Sequence, residues 1–357
     1  MKYYDIREDL KAYPDAWCIV LIGGRNIGKT YSTLKAFYED KEQTVFTKRT
    51  NEDVDLLCAG NQLGKGKAEY EIDLSPYKAI NRDIGSKVKA FKIRNGIGGF
   101  YDTSDDGGAQ GSPVSYLVSL NSVSKVKGFD MSECSAVIFD EFIPQPWERV
   151  NRKEGEQLMD LYKTVARDRM ERTGKELKLI LLANAVNVYN PTCEVLELTD
   201  IIAEMDQSGH DLTYMEDRGI LIRLLPTPNE MLEKEKESGL YKTMANTAWG
   251  RMAFNNNFAY NDFTKVRKVA LKGYRPLCSI VVKEKVWYIY TNDSGFYMCR
   301  SKHQGNEQYN LNEETEQKRF YYDHILDLAN AAIENRMKFE TYGMYDLVMN
   351  YKKRFIV

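Results

Sequence analysis

Gly23, Gly28, Lys29 and Thr30 stand in the run Leu21-Ile-Gly-Gly-Arg-Asn-Ile-Gly-Lys-Thr30 at the spacing G-x-x-x-x-G-K-[ST]. A glycine-rich turn of this kind lets backbone N–H groups curl around phosphate, a lysine reach the β- and γ-phosphates, and a hydroxyl ligand Mg²⁺. Gly23, Gly24, Arg25, Asn26, Ile27, Gly28, Lys29 and Thr30 are therefore expected to cradle a nucleotide, with ATP and Mg²⁺ as its ligands. A helix beginning at the end of the turn adds partial positive charge at its N-terminus. Binding alone does not hydrolyse ATP: the metal needs a second carboxylate and the attacking water needs a base. Ala136-Val-Ile-Phe-Asp-Glu141 supplies both at the end of an apolar run, with Asp140 toward Mg²⁺ and Glu141 toward the water. Asn184 closes the next apolar run and can sense the γ-phosphate. Charge spreading over the γ-phosphoryl oxygens calls for a further cation. Arg25 is a candidate in cis, and Arg167 and Arg169 in Ala166-Arg-Asp-Arg-Met170 are candidates from a neighbouring subunit. Lys127, in Lys127-Gly128-Phe129, is a further positive element on a loop.

The elements that must position these groups follow from periodicity. Cys18 to Ile22 reads as a buried strand and Thr30 to Glu39 as a helix, so the phosphate loop sits in a βα unit. Thr44 to Lys48, Ala136 to Phe139 and Leu177 to Leu182 read as further strands, and Gly155 to Arg172 as one helix. Strands alternating with helices predict a doubly wound, mainly parallel α/β sheet with its ligands at the carboxyl ends of the strands. Lys87 to Arg94 alternates charged and apolar residues; with a turn over Asn95-Gly-Ile-Gly-Gly99 and a return at Phe100-Tyr101 it reads as a hairpin. Asp102 to Gly111 is expected to be a loop and Val114 to Leu120 a strand. Tyr3 and Tyr4 are read as packing residues, with a nucleotide base as the alternative contact.

Further on, Glu194 to Met205 reads as helix, Gly219 to Leu225 as a strand, and Asn229 to Ala253 as largely helical. Ser279 to Lys283, Val286 to Thr291 and Gly295 to Cys299 read as a three-stranded meander, and Asp323 to Lys338 as an amphipathic helix with a short one after it. The expected organisation is an ATPase domain over 1–208, a linker region over 209–250 and a small α+β domain over 251–357.

Composition narrows the class. A hydrophobic fraction of 43% and a charged fraction of 29% are those of a globular protein. No stretch approaches the about 18 apolar residues of a membrane span, and the first residues lack the apolar core of a signal peptide. Six scattered cysteines with no C-x-x-C pair, and three histidines at no ligand spacing, argue against a disulfide framework or zinc site. Net charge is −2, but residues 251–357 hold 17 Lys and Arg against 12 Asp and Glu. The most basic run there is Lys265, Arg267, Lys268, Lys272 and Arg275, a candidate phosphate-contacting patch.

Gly23 to Thr30, Val137-Ile-Phe-Asp-Glu-Phe142 and Leu182-Ala-Asn-Ala-Val186 together resemble the DNA-packaging ATPases (encapsidation proteins) of phi-29-like podoviruses, with Asn190-Pro191 and the Arg167 cluster matching in order. The resemblance is specific over residues 17–200. It implies the additional-strand, catalytic-glutamate (ASCE) type of P-loop fold shared with large terminases. It implies a homopentameric ring on the portal (connector) of an empty capsid in the host cytoplasm, driving double-stranded DNA inward, with a packaging RNA as a partner in some members and no membrane. By position, Arg167 would match a finger acting in trans and Lys127 a lid lysine coupling neighbouring subunits. It also implies a C-terminal domain like a ribonuclease-H-type nuclease without its chemistry. Ser279-Ile-Val-Val-Lys283, its first strand, carries no Asp or Glu, which argues against nuclease activity and for DNA or portal docking. A terminase-like motor that cuts DNA, another DNA-dependent P-loop ATPase, a small-molecule kinase and a nucleotide binder without turnover are the competing readings.

Overall fold

The computed structural model describes residues 3–59, 61, 73–145, 147–247, 250, 258, 263–304 and 307–355. It divides into two units, one of Met1–Leu196 with Ser208–Tyr260 and one of Glu197–Gln207 with Asn261–Val357. Among the described residues no helix is long and apolar enough to cross a membrane.

The first unit is built on a nine-stranded sheet. Its strands are β1 (Cys18–Gly23), β2 (Thr44–Lys48), β3 (Val88–Arg94), β4 (Ile97–Thr103), β5 (Ala109–Ser119), β6 (Ala136–Asp140), β7 (Lys178–Ala183), β8 (Leu212–Met215) and β9 (Ile220–Leu225). The order across the sheet is β3-β4-β5-β2-β6-β7-β1-β9-β8. β5, β2, β6, β7, β1 and β9 run parallel, while β3, β4 and β8 close the edges antiparallel. β1 is buried along its whole length, as expected of a parallel strand covered on both faces. The helix Lys29–Glu39 follows β1, and Leu34, Ala36 and Phe37 pack with Ile19, Leu21, Phe46 and Ile138 in the core. β6 and β1 are not neighbours: β7 lies between them, so the acidic end of β6 and the glycine-rich turn after β1 converge from alternate strands.

Several expectations need correction. The region 209–250 is not a linker throughout, because β8 and β9 lie within it and β9 pairs with β1 from Cys18–Ile220 to Gly23–Leu225. The reason is the second edge of β1, whose buried backbone groups must be paired. Residues 197–207, placed in the first domain by sequence, group with the second unit. The hairpin turns at Asn95-Gly96, not over five residues, since Ile97 to Gly99 already pair in β4 and Gly96 takes a left-handed φ of 73°. The loop from Asp102 to Gly111 is shorter than expected: Asp102 pairs with Gln110 and Thr103 with Ala109. The helix from Gly155 is broken, running Glu154–Ala166 and again Arg169–Thr173. The helical run expected over Asn229 to Ala253 is interrupted: Asn229–Lys236 and Gly239–Met244 are separate helices, and much of the last part lies outside the described residues.

The second unit holds a five-stranded sheet of order β13-β10-β11-β12-β14, with β10 (Arg275–Val282), β11 (Lys285–Asn292), β12 (Gly295–Cys299), β13 (Gln308–Asn310) and β14 (Met337–Phe339). β10 to β12 form an antiparallel meander, and β13 and β14 add to its two edges in parallel. The helix expected over Asp323–Lys338 ends at Ile333, because Asn335 turns left-handed (φ 59°). Arg336 N–H then bonds Ala331 O at 2.8 Å and Asn335 N–H bonds Ala332 O at 3.2 Å, a Schellman stop that releases Met337–Phe339 to the sheet. Of the basic run, Arg267, Lys268, Lys272 and Arg275 are exposed and Lys265 is buried, so Lys265 is no surface phosphate contact. All six cysteines are buried and free.

Candidate nucleotide-binding site

β1 ends at Gly23, and the turn to the helix at Lys29 needs left-handed backbone at Asn26 (φ 62°) and Gly28 (φ 94°). Gly23 is required for space: a Cβ there would lie 2.6 Å from Ile27 Cδ1 and 2.7 Å from Leu225 O. The helix has no side-chain N-cap, so its first-turn N–H groups remain available to an anion. Lys29, only 8% exposed, donates from Nζ to Gly23 O (2.9 Å) and Gly24 O (2.6 Å), with Asn184 Oδ1 at 3.4 Å. Burial lowers its pKa to about 8, against the pull of the Asp140 and Glu141 carboxylates.

Asp140 and Glu141 leave the end of β6, two strands away. Thr30 Oγ1 donates to Asp140 Oδ1 at 2.9 Å, which brings the hydroxyl and the carboxylate together. Glu141 takes a left-handed φ of 62°, a costly conformation for a non-glycine residue. It is held by its neighbours: Arg49 donates to Glu141 O (2.9 Å) and Phe142 O (3.2 Å), and Phe142 N–H bonds Leu182 O of β7 (3.1 Å). The turn leaves the Glu141 side chain 61% exposed. Arg25, Asn26, Ile27, Gly28, Lys29, Thr30, Asp140, Glu141 and Asn184 all line one cavity of about 790 Å³, with Tyr3, Tyr31, Arg82 and Asp83. Among the described residues no group of three or more His, Cys, Asp or Glu is arranged to hold a metal ion.

The match that decides kinship covers residues 110–350: the family model of the podovirus DNA encapsidation protein (Gp16). The chain belongs to that family. The matched range starts beyond the glycine-rich turn at 23–30 and includes Lys127, Asp140, Glu141, Arg167 and Asn184. The fold of this encapsidation protein is also that of two solved structures. One is titled the bacteriophage Phi-29 viral genome packaging motor assembly, at 17% identity and a TM-score of 0.65, covering 99% of each chain. The other is titled the Phi-28 gp11 DNA packaging motor, at 16% identity and a TM-score of 0.63, covering 99% of this chain and 98% of that one. No curated protein sequence matches the chain.

Two residues that hold the acidic end of β6 carry no signal in the sequence. Lys48, the last residue of β2, donates from Nζ to Asp140 Oδ2 at 2.8 Å and lies 3.4 Å from Glu141 Oε2. Burial opposes its charge, but the two carboxylates outweigh burial and hold its pKa above the ordinary lysine value. Arg49 pairs with Glu154 (2.6 Å) and Glu148 (2.9 Å) while pinning the Glu141 turn. Burial pushes the Glu154 carboxyl up, with Arg49 working against it. Both residues read only as a strand end; that this end abuts Asp140 depends on β2 lying beside β6, an order invisible to periodicity.

The arginine candidates separate by environment. Arg25 is exposed in the loop and lines the cavity. Arg167 and Lys127 do not line it; Arg167 is exposed, its Nη2 donates to Lys127 O at 2.7 Å, and Lys127 Nζ pairs with Asp160 at 3.1 Å. Arg169 is 6% exposed and donates from Nη1 to Ser132 O and Glu133 O, so it braces its own chain. Tyr4 also packs, its hydroxyl donating to Asp9 at 2.6 Å.

Proposed function

We propose that this encapsidation protein is an ATP-driven motor that moves double-stranded viral DNA into a preformed capsid. One observation carries the reading: Lys29 and Thr30 meet Asp140, Glu141 and Asn184 in a single cavity, in a chain of the DNA encapsidation family. Residues 23–30 bind the phosphates of ATP through backbone N–H groups and the Lys29 ammonium. Glu141, turned out of the sheet and unburied, accepts a proton from the attacking water. Asn184, next to Lys29, senses the γ-phosphate. A magnesium ion fits beside them, because the Thr30 hydroxyl and the Asp140 carboxylate are paired hard-oxygen donors; when bound it would neutralise phosphate charge. The placement of β7 between β6 and β1 supports the additional-strand type of P-loop fold.

Hydrolysis between neighbouring copies is supported by Arg167, exposed and outside its own chain's cavity, where a finger acting on the next subunit belongs. Lys127, tied to it through its carbonyl, would link lid and finger. The working form is then a ring of copies, taken as a pentamer, on the portal vertex in the host cytoplasm, with a packaging RNA as a further partner. The second unit is read as a nuclease-like fold without nuclease chemistry that docks DNA or portal. Its exposed Arg267, Lys268, Lys272 and Arg275 and its carboxylate-free Ser279–Lys283 support this. The test is ATP hydrolysis by the full chain at low salt, with and without double-stranded DNA. Stimulation by DNA that fades as salt rises supports the motor; turnover indifferent to DNA and to empty capsids refutes it.

A further inference from the structure

We propose that Tyr3 is the wall on which the nucleotide base stacks, making the end of the cavity bounded by Tyr3, Tyr31 and Asp83 a purine nucleoside subsite. The inference rests on the nucleotide reading above and deepens it. On that reading Asp140, Glu141 and Asn184, which gather at Lys29 and Thr30, are taken up by the reacting γ-phosphate, which leaves Tyr3, Tyr31, Arg82 and Asp83 of the lining for the nucleoside. Tyr31 is fixed by its hydroxyl on Asp83 Oδ2, at 2.8 Å.

Tyr3 differs from every packed tyrosine near it. The chain on its C-terminal side is clamped to the phosphate loop and the helix that follows: Tyr4 N–H bonds Ile27 O at 3.3 Å, and Ile6 N–H bonds Ser32 Oγ at 2.8 Å. Tyr4 is further locked through Asp9, which pairs with Arg223 of β9. These bonds carry Tyr3 onto the loop, where a Cβ built on Gly28 would lie 3.2 Å from Tyr3 Cβ. Yet Tyr3 is 51% exposed and its ring and hydroxyl have no partner among the described residues. A ring pinned at its backbone, bare on its face and lining the cavity is a stacking platform. The cavity, about 790 Å³, has room for a whole nucleotide.

Calorimetric titration of the full chain with ADP, UDP and inorganic tripolyphosphate separates base from phosphate recognition. Tyr3→Ala should weaken ADP roughly tenfold and bring the ADP/UDP affinity ratio toward one, while tripolyphosphate binds as before. Tyr3→Phe, which keeps the ring, should retain ADP affinity. Unchanged ADP binding by Tyr3→Ala, or an equal loss for tripolyphosphate, overturns the stacking role and leaves the phosphate site standing. Failure of the unaltered chain to bind either ADP or tripolyphosphate overturns the nucleotide reading itself.

Discussion

Lys48→Met should destabilise the ligand-free protein by about 2 kcal/mol, through the loss of one ion pair. Lys48 Nζ lies 2.8 Å from Asp140 Oδ2, and the two side chains are 16% and 14% exposed. At that depth an attraction of roughly 6 kcal/mol at an effective dielectric of 20 is largely offset by desolvation. Removing one partner of a fully buried pair costs about 3–5 kcal/mol, and the residual water contact brings this nearer 2. The contact to Glu141, 61% exposed on the carboxylate side, adds little. Methionine keeps the apolar stem in place, so the loss reports charge. Thermal unfolding at pH 7.5 should show a midpoint lower by roughly 5 °C. Asp140→Asn, measured alone and with Lys48→Met, completes a double-mutant cycle. The pair should be non-additive by at least about 1 kcal/mol. A Lys48→Met midpoint equal to that of the unaltered chain, or strict additivity, would refute the claim that Lys48 holds the carboxylate of β6.

Three further outcomes follow from particular contacts. Lys29 is charged in the unfolded chain up to pH about 10.5 but only up to about 8 in the folded one, so its burial penalty is relieved as pH rises between those values. Relative to Lys29→Met, the unaltered ligand-free protein should therefore gain stability between pH 7.5 and pH 9.5, read by urea unfolding, and a flat difference would contradict the assignment. Gly23→Ala should cost about 1–3 kcal/mol by overpacking against Ile27 and Leu225 O, visible as a lower unfolding midpoint without any nucleotide. Arg169→Ala should destabilise by about 2 kcal/mol, whereas Arg167→Ala should leave the midpoint within about 0.5 kcal/mol and abolish turnover; thermal melts beside a hydrolysis assay separate the two.

The glycine-rich turn at residues 23–30 was legible in the sequence because its geometry is local. Glycines, a lysine and a threonine at fixed spacing sit between a buried strand and a helix, and backbone geometry alone assembles them. The meeting of Thr30 with Asp140, joined by a hydrogen bond of 2.9 Å, follows from the same local chemistry of hydroxyl and carboxylate. Lys48 and Arg49 were not legible, because their role depends on β2 lying beside β6, and strand order is a property of the whole sheet. β9 was legible as a strand over Gly219 to Leu225, but its place beside β1 was hidden for the same reason. The stop at Asn335 was hidden by an amphipathic pattern that continues past it; one left-handed residue overrides several turns of periodicity. The break at Arg167 lay inside a similarly continuous helical pattern.

In the proposed motor, Glu141 activates the water that attacks ATP bound by residues 23–30. The most direct test is Glu141→Gln in the full chain with double-stranded DNA present, measuring ATP binding and ATP hydrolysis on the same preparation. Binding should be retained and hydrolysis reduced by at least about 100-fold, the scale of a lost general base. Hydrolysis by Glu141→Gln at the rate of the unaltered chain would show that Glu141 is not the base.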